Sequence, residues 1–147
     1  MNLTFRASVA SAAGRFRLDV GLSLPECRRL VLFGPSGSGK SLTLQAVAGL
    51  LRPESGRVEV GGRTLFDSAA GVDVPARRRR MGFLFQDFAL FPHLTLEQNL
   101  LFGLTRLWRR PGAEMRRRVG GLLESFGLTA QARHLPAELS GGQKQRA

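Results

Sequence analysis

Gly34-Pro-Ser-Gly-Ser-Gly-Lys40-Ser41 follows the apolar run Arg29-Leu-Val-Leu-Phe33 and leads into Leu42-Thr-Leu-Gln-Ala-Val-Ala-Gly-Leu-Leu51. The segment fits G-x-x-x-x-G-K-[ST], the P-loop pattern, in which each fixed position has a chemical reason. Gly34, Gly37 and Gly39 reach backbone angles closed to other residues and put no side chain between amide N–H groups and an anion. Pro35, Ser36 and Ser38 complete the loop. Residues 29–33 are predicted to form a buried strand feeding the loop. Lys40 to Leu51 is predicted as a helix whose N-terminal N–H groups point into phosphates. That order reads as an α/β fold gripping a nucleoside triphosphate, with Lys40 on the β and γ phosphates and the Ser41 hydroxyl on Mg²⁺.

A second segment with a phosphate-directed look lies near residue 140. In Leu139-Ser-Gly-Gly-Gln143, Ser140 is a good N-cap, Gly141 and Gly142 allow close backbone approach, and Gln143 opens a helix. Between the two, Met81-Gly-Phe-Leu-Phe-Gln86 reads as an apolar strand ending in a polar residue. The Gln86 carboxamide could offer oxygen to Mg²⁺ and orient an attacking water.

Together these segments resemble the ATP-binding cassette (ABC) ATPases. Leu139 to Gln143, continued by Lys144-Gln-Arg-Ala147, is similar to their signature motif, and Met81 to Gln86 to their Q-loop. The resemblance implies a P-loop NTPase core with an N-terminal antiparallel β region, over residues 1–86, and a helical subdomain over 87–140. It also implies that Leu139, Ser140, Gly141, Gly142 and Gln143 face the γ-phosphate held by a second, head-to-tail ATPase subunit. ATP and Mg²⁺ are the implied cofactors. Position 42, often a small hydroxyl residue in the family, is Leu42 here. For adenine stacking by an N-terminal aromatic, Phe16 is the best candidate, although its place in an alternating pattern also makes it a core residue.

Gly61-Gly-Arg-Thr-Leu-Phe-Asp67, Gly71-Val-Asp-Val-Pro75, Arg79-Arg-Met-Gly82 and Phe85-Gln-Asp87 through Leu90-Phe-Pro-His93 look most like the ATPases of bacterial molybdate importers. Sulfate, ferric-iron and polyamine importer ATPases share much of this wording. Exporter subunits and soluble ABC ATPases stay open as alternatives, as does a non-catalytic nucleotide-binding fragment. The importer resemblance implies integral membrane permease subunits as partners, a periplasmic or extracellular solute-binding protein acting indirectly, and a peripheral position on the cytoplasmic face of the inner membrane. The family also needs an apolar strand ending in Asp-Glu and a later histidine for hydrolysis, and neither precedes Ala147. We therefore expect the C-terminal part of the core to be missing, and this chain alone to hydrolyse ATP negligibly and to aggregate readily.

Composition bounds the other possibilities. The formal net charge is +11, and only two of the 22 basic residues, Lys40 and Lys144, are lysines. The arginine clusters at 77–80, 109–110 and 116–118 read as solvated faces. No aromatics interleave with them as a stacking platform needs, so no nucleic-acid partner is expected. The single cysteine, Cys27, excludes an intrachain disulfide. His93 and His134 read as structural or surface residues.

Elsewhere, Phe16, Leu18, Val20, Leu22 and Leu24 alternate with mostly polar residues, which predicts a half-buried strand paired with Leu3 to Val9. Arg57 to Val60, Gly61-Gly62 and Arg63 to Phe66 predict a hairpin. Helices are predicted over Thr95 to Gly103, with Thr95 as N-cap, and over Ala113 to Phe126, where Met115, Val119, Leu122, Leu123 and Phe126 recur at helical spacing.

Overall fold

In the N-terminal residues, the alternating pattern produces a long antiparallel pair. The computed structural model describes residues 1–11, 14–24, 29–104 and 111–147, so Cys27 and Arg109-Arg110 lie outside the described residues. Strands β1 (Asn2–Ser11) and β2 (Gly14–Ser23) pair with Phe5 opposite Val20 and Arg6 opposite Asp19. Because successive side chains point to opposite faces, Leu3, Phe5 and Ala7 of β1 are all buried. Strands β3 (Ser55–Val60), β4 (Arg63–Asp67) and β5 (Val72–Asp73) extend this into an antiparallel sheet of order β2-β1-β3-β4-β5.

The predicted hairpin is present. Val60 faces Arg63 across Gly61 and Gly62, whose φ values of 58° and 73° are those a two-residue hairpin turn needs and glycine supplies without strain. The register then shifts between Val58 and Glu59, leaving Leu65 extra on β4. This bulge lets the successive residues Leu65 and Phe66 both be buried. Ala46, from helix α1 (Lys40–Ala48), joins Leu3, Phe5, Leu18, Val58, Leu65 and Phe66 in one core, with Phe16 and Leu42 packed against it.

Three local expectations are corrected in this part of the chain. First, α1 stops at Ala48 rather than Leu51 because Gly49 turns left-handed, at φ 81°, and its N–H bonds back to Gln45 and Ala46 carbonyls. Second, residues 29–33 and 81–85 carry no regular strand. Both runs are apolar enough, but strand composition alone does not fix the backbone, and neither run belongs to the five-stranded sheet. Val31 and Phe33 are 85% and 99% exposed, and Leu84 is 84% exposed. Third, the arginine run is not uniformly solvated: within α2 (Ala76–Arg79), Arg79 is buried while Arg77, Arg78 and Arg80 are exposed.

The chain divides into two compact units, Met1–Phe83 and Leu84–Ala147, against an expected boundary near residue 86. In the second unit, α3 (Leu96–Leu104) and α4 (Ala113–Ser125) pack with Leu128 and Leu139 around Leu96, Val119 and Leu123. Thr95 caps α3 as predicted: its hydroxyl accepts from Gln98 N at 3.3 Å, and its N–H donates to Gln98 Oε1 at 2.8 Å. The next orphan donors of α3, on Leu96 and Glu97, reach the carbonyls of His134 and Ala132 at 2.9 Å each. Only part of the α4 stripe is core. Val119 and Leu123 are buried, whereas Met115, Leu122 and Phe126 are exposed, because the unit packs one narrow face of the helix.

Candidate functional site

The P-loop residues hold the geometry that their glycines allow. Gly37 and Gly39 are left-handed at φ 81° and 89°, and Gly39 is the N-cap of α1. Gly39 is buried, and a Cβ there would stand 2.5 Å from Leu18 Cδ1 and 3.4 Å from Phe16 Cε1. The loop thus lies directly on β2, with the Phe16 ring beside it. At Gly34, a Cβ would stand 3.0 Å from Ser38 Oγ, so a side chain would intrude on the loop's interior.

Lys40 folds back over this loop. Its ammonium donates to the carbonyls of Gly34 at 2.8 Å and Pro35 at 2.6 Å and to Ser38 Oγ at 3.3 Å. Ser41, on the first turn of α1, is exposed, while Pro35, Ser36, Gly37 and Ser38 face solvent. An ammonium held at a solvent-facing loop beside the first turn of a helix is chemically suited to a polyphosphate. Leu42 turns towards the core, so the position where the family often has a hydroxyl is a packing position here. The hydroxyl next along, Thr43, bonds back to the Gly39 carbonyl at 3.0 Å and is buried. Sequence reasoning missed it.

Gln86 is exposed, in a turn over residues 86–89 closed by Phe88 N to Phe85 O at 3.2 Å. Phe88 and Ala89 are both left-handed, at φ 62° and 48°, which costs non-glycine residues roughly 1–2 kcal/mol each. Just beyond, the Asn99 side chain stitches the following segment. Its Oδ1 accepts from Phe91 N at 2.8 Å, and its Nδ2 donates to the carbonyls of Phe91, Leu94 and Thr95 at 3.2, 3.0 and 3.0 Å. Asparagine is a poor helix former, and its place in α3 was the available signal for this role. Asn99→Leu is expected to lower the stability of the second unit by about 2 kcal/mol. Denaturant unfolding followed with hydrogen exchange at Phe91 N checks this; an unchanged Phe91 amide would refute it.

The signature segment is a capped helix start. Ser140 Oγ accepts from Gln143 N at 3.3 Å and Ser140 N donates to Gln143 Oε1 at 2.7 Å, at the head of α5 (Gly141–Arg146). Leu139 is buried in the second core and so fixes where this turn emerges. At Gly141 and Gly142, a Cβ would meet nothing of this chain within 4 Å. Within this chain their lack of side chains relieves no crowding. Arg146 ties the far side of α5 to α4 by donating to the Phe126 carbonyl at 3.1 Å.

Arg79 is a further residue that sequence reasoning missed. Its Nη1 donates to the Ala46 and Val47 carbonyls at 2.8 Å each, and its Nε donates to the Val74 carbonyl at 2.7 Å. Asp73 Oδ1 lies 3.8 Å from Nη2. Burial pushes the guanidinium down from its ordinary pKa, Asp73 pulls it up, and Arg63 adds to the lowering. Four successive arginines carry no periodic signal to single out the buried one.

Comparison with known proteins adds three kinds of finding. The profile of the ABC transporter family matches residues 18–147. The molybdenum import ATP-binding protein ModC of Paramagnetospirillum magneticum is 46% identical over 133 residues, covering 90% of this chain and 36% of that protein. The sulfate/thiosulfate import ATP-binding protein CysA of a Synechocystis species is 43% identical over 128 residues, covering 87% of this chain and 34% of that protein. The chain therefore spans about a third of the length of these relatives. Among solved structures, a dimeric bacterial ABC transporter cassette, MJ0796, superposes with a TM-score of 0.71 at 31% identity, covering 97% of this chain and 64% of that one.

Proposed function

The chain belongs to the ABC transporter family, and from that premise we propose that it is the ATP-binding portion of a bacterial importer for molybdate or a related oxyanion. The loop geometry carries the nucleotide-binding part: two left-handed glycines, a buried Gly39 at the head of α1, and the Lys40 ammonium poised over the loop. In this reading Gly34 to Ser41 cradle the phosphates of ATP and Leu42 contributes through its backbone. The Lys40 ammonium exchanges its loop carbonyls for β and γ phosphate oxygens. Ser41 would hold Mg²⁺, whose bound charge offsets that of the phosphates. Phe16, beside the loop, would stack on adenine.

Leu139 to Gln143 would serve the nucleotide held by a second copy, which the dimeric cassette among the structural relatives supports. Partner permease subunits would receive the closing motion at the membrane's cytoplasmic face. Among the described residues no helix is long and apolar enough to cross a membrane. Molybdate is favoured over sulfate by the names and identities of the relatives, 46% against 43%. Chimeras that place residues 1–147 in each of those two relatives test this choice through restored uptake of molybdate or of sulfate.

The direct test is a titration of the chain with a fluorescent ATP analogue and Mg²⁺. Lys40→Ala removes a charged hydrogen-bond donor worth ~1.5 kcal/mol or more to the phosphates, so affinity is expected to fall at least about tenfold. Equal affinity of the two proteins would overturn the assignment.

A further inference from the structure

Arg79 stands apart from the neighbouring arginines: its side chain is 2% exposed and its donors are spent on backbone carbonyls of two separate segments. Nη1 takes the Ala46 and Val47 carbonyls in the last turn of α1, and Nε takes Val74, which precedes α2. We propose that Arg79 is a positioning residue for phosphate binding, a clamp on the far end of α1 that fixes where its first-turn N–H groups point. The proposal rests on the nucleotide-binding reading of Gly34 to Ser41.

Three features of α1 make such a clamp necessary. It is nine residues long, too short to be stable by itself, so its direction must come from tertiary contacts. Its fully buried residues are the small Thr43, Ala46 and Ala48, and its larger apolar side chains on the core, Leu42 and Val47, are only partly buried. Its carbonyl end carries partial negative charge, which a buried guanidinium satisfies with a rigid fork of donors. A rod of this length, ~13 Å at 1.5 Å per residue, displaces its first turn by ~1 Å when tilted about 5° at the other end. Misplacement on that scale can cost up to ~100-fold where reacting groups must be aligned.

The space for the clamp is reserved by Gly49. A Cβ there would stand 2.5 Å from Arg79 Nε and 2.9 Å from Cζ. The guanidinium therefore occupies the place that any side chain at position 49 would take. Gly49 and Arg79 should act as one unit, although thirty positions separate them in the sequence.

The test uses the 147-residue chain and three variants: Arg79→Met, Arg79→Lys and Gly49→Ala, which disturbs the clamp with Arg79 still present. Each is titrated with ATP and Mg²⁺ and unfolded in denaturant. Arg79→Met and Gly49→Ala are expected to bind ATP about tenfold more weakly, within the range of couplings between distant sites. Arg79→Lys keeps the charge and loses the fork, so it should recover the unfolding midpoint more fully than the affinity. Hydrogen exchange adds a readout that a merely structural role would not move: ATP should protect the Val74 and Arg78 amides in the wild type and not in the variants. Affinity within twofold of wild type in any variant that folds, with ATP protection at those amides unchanged, overturns the clamp alone. No ATP binding by the wild type overturns the nucleotide-binding reading, and the clamp falls with it.

Discussion

Gly56→Ala is expected to destabilise the first compact unit by about 4 kcal/mol, a large part of the ~5–15 kcal/mol that holds an ordinary domain together. Gly56 sits in β3 opposite Phe5 with φ 101°, an angle that strains any L side chain. A Cβ there would run into the Thr4 carbonyl oxygen and stand 2.6 Å from Phe5 Cα. Neither atom can retreat, because β1 is hydrogen-bonded on both sides, to β2 and to β3. The turn beyond is tied to the same residue, since Ser68 N donates to the Gly56 carbonyl at 3.0 Å and Ser68 Oγ accepts from Gly56 N at 2.9 Å. Denaturant unfolding measures the loss. Gly21→Ala is the control: Gly21 lies in β2, and a Cβ there meets nothing within 4 Å. Equal midpoints for the two variants would refute the close-approach account.

Gly39→Ala is expected to act on both stability and nucleotide binding. The residue is left-handed, caps α1, and leaves no room for a methyl group beside Leu18, which is buried in the core. Strain of roughly 1 kcal/mol and crowding of about 1–3 kcal/mol add up to ~3 kcal/mol. The relief available is for the loop to lift off β2, which would carry the Gly34 and Pro35 carbonyls and the Lys40 ammonium with it. ATP affinity should therefore fall further than in Lys40→Ala. Gly37→Ala separates the two causes, since Gly37 has φ 81° but open space around its Cα. It should show the strain and little else. If Gly37→Ala and Gly39→Ala bind and unfold alike, crowding against Leu18 is not the reason for the glycine.

Much of this arrangement was legible in the sequence where one local rule governs. Alternation from Phe16 to Leu22 gave β2 because one face of the sheet is buried and the other is wet. The Gly61-Gly62 pair gave the hairpin because few other residues accept two successive positive φ angles. Thr95 and Ser140 gave helix starts because their side chains satisfy orphan N–H groups. Local rules fail where the deciding partner is far along the chain. Residues 29–33 and 81–85 have strand composition, but composition alone does not fix the backbone, and neither run joins the sheet. Arg79 looks like its three neighbours until Ala46, Val47 and Val74 are brought to it. Gly56 reads as an ordinary break in a strand until β1 lies against it. Phe16 keeps both of its readings, because one ring packs on the core and stands beside the loop.

The exposure of Val31 and Phe33 has a consequence for how copies of the chain meet in solution. Each copy carries +11 formal charges, so two molecules approaching in dilute buffer repel one another before their apolar segments touch. That barrier is electrostatic, whereas the attraction behind it is hydrophobic. Salt at 0.1 M shortens the reach of charge to about 10 Å, leaving the short-range attraction in place. The same surplus of arginine that invites a search for an acidic partner therefore also acts as a colloidal stabiliser, one whose strength is set by the ionic strength of the solution.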